Sequence, residues 1–240
     1  MSRAALDARM RQRLLCQQRL HDPALEPRNA LRWLPEVRRW QAARLRASFA
    51  RFLVDARRRP AAEFFLSDIY GDHDFTRRDA DIARVLPMMR RLLPEALLDA
   101  VVDGIELSAL THAFDLRLAE VLHTVAPTRR SLDVELYARV YRLAGKPRLR
   151  AHQIDLIERV GTGLVDAMRI PGLLMLLKMS RGPARAAGLE QLQGFLERGF
   201  SAFGRLSDAQ GFIDEIVADE RAARERLFAR HPDPFLGAVS

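Results

Sequence analysis

Residues Glu95 to Val125 have the sequence EALLDAVVDGIELSALTHAFDLRLAEVLHTV, and this stretch indicates the class of fold. Its large apolar residues recur every three or four positions, which is the period of an α-helix with a buried face. They are Leu98, Val101, Val102, Ile105, Leu110, Phe114, Leu118, Val121 and Leu122. Pro94 precedes the stretch, where a helix tolerates proline. We therefore expect a long central helix from Glu95 to about Val125.

Four helices are predicted before this stretch: one that begins at Ser2, one that runs from about Asn29 to Arg59, a short one that begins at Pro60 and ends at Gly71, and one from Thr76 to Arg91. The first carries an apolar stripe of Leu6, Met10 and Leu14. The second places three large side chains on one face, which we take as a candidate interface: Trp33, Val37 and Trp40. Together, residues 1–59 are predicted to form an arginine-rich helical hairpin that projects from the rest of the protein.

Further helical patterns follow the central stretch and are separated by proline and glycine residues. Ser131 is the predicted N-cap of a helix that ends near Leu143, and Ser207 is the predicted N-cap of the last helix. No sustained alternation of apolar and polar residues indicates a strand. The sequence therefore predicts one all-α, bundle-like domain over residues 1–240, with about eight to ten helices.

The charge of the chain alternates in sign along the sequence. Residues 1–60 have a net charge of +10, residues 61–125 of −6, residues 126–187 of +7 and residues 188–240 of −3, which gives the overall +8. Such alternation favours basic and acidic helices that pack against each other within the chain or across a subunit interface. It is also compatible with a surface that binds nucleic acid, so both interpretations stay open, with packing preferred.

Several classes of protein are excluded or disfavoured by composition. The single cysteine, Cys16, is incompatible with a disulfide framework or a CxxC zinc site and fits a reducing compartment. No apolar run is long enough to span a membrane, so we expect a cytoplasmic protein without a membrane partner. The glycine-rich phosphate loops and the common hydrolase and metalloprotease motifs are missing, and the sequence indicates no metal or cofactor.

A dense group of polar residues lies within the segment FFLSDIYGDHDFTRRDAD, residues 64–81. Its candidate site residues are Asp68, Tyr70, Asp72, His73, Asp74, Arg78, Asp79 and Asp81. Carboxylate and imidazole groups in this arrangement suit a hard cation or a general base. The alternative, which we prefer, is that these residues form turn and helix-cap hydrogen bonds.

A candidate anion site is predicted in the segment SRGPAR, residues 180–185. Here Gly182 stands between Arg181 and Arg185 at the start of a helix, where free amide groups and guanidinium groups attract anions. The alternative is a simple break between two helices.

The segments FFLSDIYGDHDFTRRDADIARVLP and RGPARAAGLEQLQGFLERGFSAF resemble the signature stretches of an uncharacterised family of all-helical bacterial, mainly proteobacterial, proteins. The pattern of that family is FFLxDxYGxxDFxxRDxD. The residues that match it are Phe64, Phe65, Leu66, Asp68, Tyr70, Gly71, Asp74, Phe75, Arg78, Asp79 and Asp81. The resemblance implies a bacterial source and brings no activity with it.

Three functions remain open from the sequence. The preferred one is a non-enzymatic interaction or scaffold protein that forms a homo-oligomer or binds an acidic protein partner. The second is a basic protein associated with nucleic acid. The third is an enzyme or a protein that binds a small ligand or a metal, with its site at residues 68–81 and closed by His112 and Arg185.

Overall fold

The computed structural model describes residues 3–69, 95–186 and 190–237, and the regular structure in these ranges is entirely helical. The eleven α-helices in these ranges are α1 (Arg3–His21), α2 (Trp33–Ser48), α3 (Ala50–Val54), α4 (Arg59–Phe64), α5 (Glu95–Val125), α6 (Val134–Ala144), α7 (Pro147–Met168), α8 (Leu173–Met179), α9 (Arg181–Ala186), α10 (Glu190–Phe203) and α11 (Ala209–Phe228). A 3₁₀-helix covers Pro27–Ala30 and a π-helical turn covers Phe65–Ile69. The all-α prediction is confirmed, and the helix predicted from Thr76 to Arg91 lies outside the described residues.

The central helix lies where the sequence predicts it. Helix α5 contacts α1, α2, α6 and α7. Six residues of the predicted stripe are buried and Val101, Leu110 and Val121 are partly buried, while Leu107, Leu116 and Ala119 on other sides of the helix are buried as well. A helix that is apolar on several sides must be covered on several sides, which is why the other helices are arranged around it.

The two N-terminal helices do not project from the rest of the protein. The stripe Leu6, Met10 and Leu14 of α1 is buried against Leu98, Val102 and Ile105 of α5. Helix α2 also packs on α5. The predicted projecting hairpin is therefore wrong, because each of these helices buries its apolar face on the central helix.

The candidate interface on α2 is buried inside the chain. Trp33 and Val37 are at most 1% exposed and belong to a core shared by α2, α5 and α6. Trp40 is half-buried, with its ring stacked on that of Tyr137 at a centroid distance of 4.0 Å and near the edge of Phe235. The structure thus corrects the prediction, since this face meets the protein's own helices.

Two helix caps differ from the predicted ones by one or two residues. Asp133 caps α6, and its carboxylate accepts a hydrogen bond of 2.8 Å from the amide of Leu136. Asp208 caps α11 through a bond of 2.8 Å from the amide of Gly211. Each aspartate lies close to a predicted serine cap, and an aspartate is an equally strong N-cap residue.

A second core brings α3, α4 and the π-helical turn together with the later helices α10 and α11. Aromatic side chains from α3, α4, the π-helical turn, α10 and α11 pack together here: Phe52, Phe64, Phe65, Phe203 and Phe212. This core places the π-helical turn against α10, so that the two sequence segments of the resemblance meet. Within the described ranges, none of the helices has both the length and the apolar character that crossing a membrane requires.

Candidate functional site

The predicted polar cluster at residues 68–81 is represented in the structure by Asp68 alone. The other candidates lie outside the described residues: Tyr70, Asp72, His73, Asp74, Arg78, Asp79 and Asp81. Asp68 lies in the π-helical turn Phe65–Ile69. Its Oδ1 accepts hydrogen bonds from Nε and Nη2 of Arg198 on α10, at 2.8 and 2.5 Å, and its Oδ2 accepts one from Oγ of Ser67. Asp68 thus ties the π-helical turn to α10.

Aromatic packing strengthens the same junction. The ring of Phe64 lies 5.3 Å from that of Phe195 and 6.4 Å from that of Phe203, measured between centroids. A β-carbon at Gly199 would come within 2.9 Å of Cζ of Phe64. Because that distance is shorter than a normal contact, the bare backbone of Gly199 leaves the space that the ring fills.

The arginines of the candidate anion site are already paired. Both oxygens of the Glu197 carboxylate accept hydrogen bonds of 2.6 Å from Arg181, and Arg185 lies 3.5 Å from Glu190. The hydrogen bonds from Arg181 and Gln193 lower the pKa of Glu197 to about 2. Two carboxylates of α10 therefore already neutralise the arginines on either side of Gly182, and this geometry does not support an anion site.

Helix α8 presents an apolar face to solvent. Met175, Leu176 and Met179 are 68%, 55% and 71% exposed, respectively. Met179 is four residues from Met175 and three from Leu176, and side chains at these spacings are neighbours on one side of a helix. The end of α8 is held in place by Gln193, whose side chain donates a hydrogen bond of 2.6 Å to the carbonyl of Leu177. We call these three side chains the α8 face.

A buried polar cluster connects α1, α2 and α5. His112 is 3% exposed, and its ring stacks on that of His21 at a centroid distance of 4.0 Å. Its Nε2 lies 3.1 Å from the carbonyl of Leu20 and 3.0 Å from Oδ1 of Asn29, while its Nδ1 lies 2.9 Å from Nη2 of Arg38. Since Nε2 faces two acceptors and Nδ1 faces a donor, the ring carries one proton, on Nε2.

The environment of His112 opposes its protonation. Burial, together with the charges of His21 and Arg38, lowers its pKa to about 4. The neighbouring Asp115 is also buried, and burial raises the pKa of its carboxyl. Gln41 donates a hydrogen bond of 2.7 Å to Asp115. His112 therefore connects α5 to Leu20 and His21 of α1, to Arg38 of α2 and to Asn29 between these two helices.

The arginines of the N-terminal block form ion pairs with acidic residues of α5 and α11. The pairs are Arg9–Asp103, Arg9–Glu106, Arg13–Glu106, Arg38–Asp115, Arg44–Glu220, Arg51–Asp219 and Arg58–Glu215. The +10 block therefore packs against the two acidic blocks within one chain, which is the preferred interpretation of the alternating charge. Arg46 and Arg57 are exposed and have no ion pair within the described residues.

A metal site and a surface depression are the remaining candidates in the part of the chain that the structure describes. No group of three or more His, Cys, Asp or Glu side chains is arranged there to hold a metal ion. A shallow, open depression of about 380 Å³ lies between α7 and α11. Its lining residues are Pro147, Arg148, Ala151, Arg224, Glu225 and Phe228. Its openness distinguishes it from the enclosed clefts that bind small molecules.

Comparison with protein-family models matches residues 20–234 to a domain of unknown function, DUF8198. The chain belongs to the DUF8198 family. The match includes both segments of the resemblance, so the Asp68–Arg198 junction lies inside the DUF8198 domain. Neither curated proteins nor solved structures give a match.

The α8 face of this DUF8198 protein is the feature that sequence reasoning missed. The segment GLLMLLKM, residues 172–179, is so apolar that burial is the natural expectation. One signal was present, because Pro171 and Gly172 precede the helix and Gly182 follows it, so that the apolar run is only about two turns long. A helix this short has few positions to bury and leaves part of an all-apolar surface uncovered.

Proposed function

We propose that this protein is a non-enzymatic interaction protein of the bacterial cytoplasm that docks another protein on the α8 face. The observation that carries the proposal is the exposure of Met175, Leu176 and Met179 on one side of a helix. Contiguous exposed apolar side chains that are framed by polar residues are typical of surfaces that bind proteins.

The chemistry of the face supports a protein partner. Full burial of a methionine or leucine side chain contributes about 1.5 to 3 kcal/mol relative to exposure. Three such residues side by side form the apolar centre that small interfaces need. Methionine adds an adaptable, polarisable surface, which is frequent at protein-binding helices.

The internal ion pairs favour this proposal over binding through the arginine-rich helices. Arg44 and Arg58 already contact Glu220 and Glu215 of α11. A nucleic acid or an acidic partner would have to compete with these carboxylates for the same guanidinium groups. The α8 face, in contrast, loses no internal contact when it is covered.

A site-specific photo-crosslinking experiment tests the proposal. A benzophenone amino acid replaces Leu176 in cells that express the protein, and the control places it at Val54, which is 78% exposed but lies on α3. We expect a discrete crosslinked species from position 176 and none from position 54. The proposal is wrong if position 176 gives no product, or gives only the products that position 54 gives.

A further inference from the structure

The charges around the α8 face identify the kind of partner that fits it. Helix α8 contacts α7, α9 and α10, and these helices, together with the turn after α7, carry exposed ion pairs. The pairs, which we call the rim pairs, are Asp166–Arg169 at 3.1 Å, Arg181–Glu197 at 2.6 Å and Arg185–Glu190 at 3.5 Å. Each pair places both signs of charge on segments that adjoin α8 in sequence or pack against it.

From this arrangement we infer that a second copy of this chain occupies the α8 face, with the two copies related by a two-fold axis. The inference rests on the proposed function and names its partner. In a two-fold interface each patch meets its own copy, so the patch must be complementary to itself. An apolar centre meets this condition, and the rim pairs are compatible with it because each contains both signs of charge, so neither copy presents a uniform charge to the other.

A uniformly acidic partner fits the same surface less well. It would meet Asp166, Glu190 and Glu197 as well as the arginines paired with them, so the rim pairs give it no net attraction. The side chain of Lys178 is exposed and its charge also acts on Glu197. With this lysine the rim carries four cations and three carboxylates, so it is close to neutral although the chain as a whole carries +8.

The overall charge of the chain predicts how the dissociation constant of the dimer depends on salt. Two copies with a charge of +8 each repel at long range, and salt screens this repulsion over about 10 Å at 0.1 M. An apolar contact between them is therefore expected to become tighter, or to stay unchanged, when salt is added. Binding of an acidic protein or a nucleic acid to a basic chain weakens with salt.

Sedimentation equilibrium of the purified full chain measures the association directly. We expect a monomer–dimer equilibrium whose dissociation constant does not rise between about 50 mM and about 500 mM NaCl. The triple variant Met175→Ser, Leu176→Ser, Met179→Ser is expected to weaken the dimer by more than roughly 100-fold. The control Val54→Ser also removes an exposed apolar side chain and is expected to leave the dimer unchanged.

Disulfide trapping tests the two-fold geometry. In a Cys16→Ser background, which removes the exposed native thiol, Leu176→Cys is expected to form a linked dimer under mild oxidation, and Val54→Cys is not. Residues near a two-fold axis face their own copies, so the same position on both chains reacts.

The outcomes separate the inference from the proposed function. A chain that stays monomeric at all concentrations overturns the second-copy inference, while a crosslink specific to position 176 in cells would still support docking at the α8 face. A dimer that the triple variant leaves intact also overturns the inference, because association then uses another surface. Loss of both the dimer and the crosslink at position 176 overturns the proposed function as well.

Discussion

Mild acid is expected to destabilise the protein through one buried histidine, His112. A second proton on this ring would go to Nδ1, which lies 2.9 Å from Nη2 of Arg38. The new N–H would face another N–H donor, and two positive charges would share a buried site. The ring of His21, stacked at 4.0 Å, leaves no room for water between the two rings.

The size of the effect follows from the shift of the pKa. The pKa of His112 falls from 6.5 in the unfolded chain to about 4 in the folded protein. The contribution of a neutral His112 to stability is therefore fully present above about pH 6.5 and is lost as the pH falls from there toward 4. The complete loss from this residue is about 3 kcal/mol, and about 2 kcal/mol is already lost at about pH 5.

Asp115 acts in the opposite direction, so the contribution of His112 has to be isolated. Burial raises the pKa of Asp115, and its protonation therefore favours the folded state as the pH falls. Comparison of the wild type with His112→Gln cancels this term, because both proteins keep Asp115. Urea unfolding at about pH 7 and about pH 5 gives the free energy of unfolding of each protein.

At pH 7 the glutamine variant is expected to be less stable than the wild type, since it loses the imidazole contacts. At pH 5 this deficit is expected to shrink by about 2 kcal/mol, because only the wild type then carries the cost of His112. The control His123→Gln changes an exposed histidine of the same helix and is expected to show the same deficit, within about 0.5 kcal/mol, at both pH values. An equal deficit for His112→Gln at both pH values would refute the reasoning.

Two further predictions concern packing and buried charge. Gly161→Ala is expected to destabilise the protein by about 1 to 3 kcal/mol, because the new β-carbon would lie 2.7 to 2.9 Å from side-chain atoms of Ile213. Gly104→Ala is the control, since its new β-carbon would have no neighbouring atom within 4 Å, and it is expected to stabilise α5 by about 0.5 to 1 kcal/mol. Thermal unfolding curves of the two variants check both values. Glu220→Ala removes the carboxylate that contacts the buried Arg44 and is expected to lower the free energy of unfolding by about 3 to 5 kcal/mol. The double variant Arg44→Met, Glu220→Leu is expected to lower it by less, because no charge is then left buried. Equal losses in urea unfolding would contradict this prediction.

The helices could be predicted from the sequence because their signals are local. The stripe of α1 and the long run of α5 repeat with the helical period, and Pro94 and Pro147 stand at or next to helix starts. The prediction of Ser131 and Ser207 as caps is wrong because an aspartate follows each serine by one or two residues and caps the helix instead. Either residue type satisfies the free amides, and only the geometry of the turn selects between them.

The arrangement of the helices could not be predicted in the same way. A face with two tryptophans is equally suited to a core and to an interface, and the choice depends on whether α5 and α6 cover it. Helix α8 is the reverse, because its apolar run suggests burial and part of it is exposed. Nothing in residues 173–179 indicates which side of the helix that is. The ion pair between Asp68 and Arg198 joins positions 130 residues apart, and sequence spacing carries no information about such a contact.

Sedimentation equilibrium of the wild type beside the Met175→Ser, Leu176→Ser, Met179→Ser variant decides whether the α8 face joins two copies of the chain. We expect a dimer for the wild type, a monomer for the variant, and far-ultraviolet circular dichroism spectra that show both to be folded helical proteins. A wild type that remains monomeric, or a variant that dimerises as tightly as the wild type, would contradict the claim that two copies meet through the α8 face.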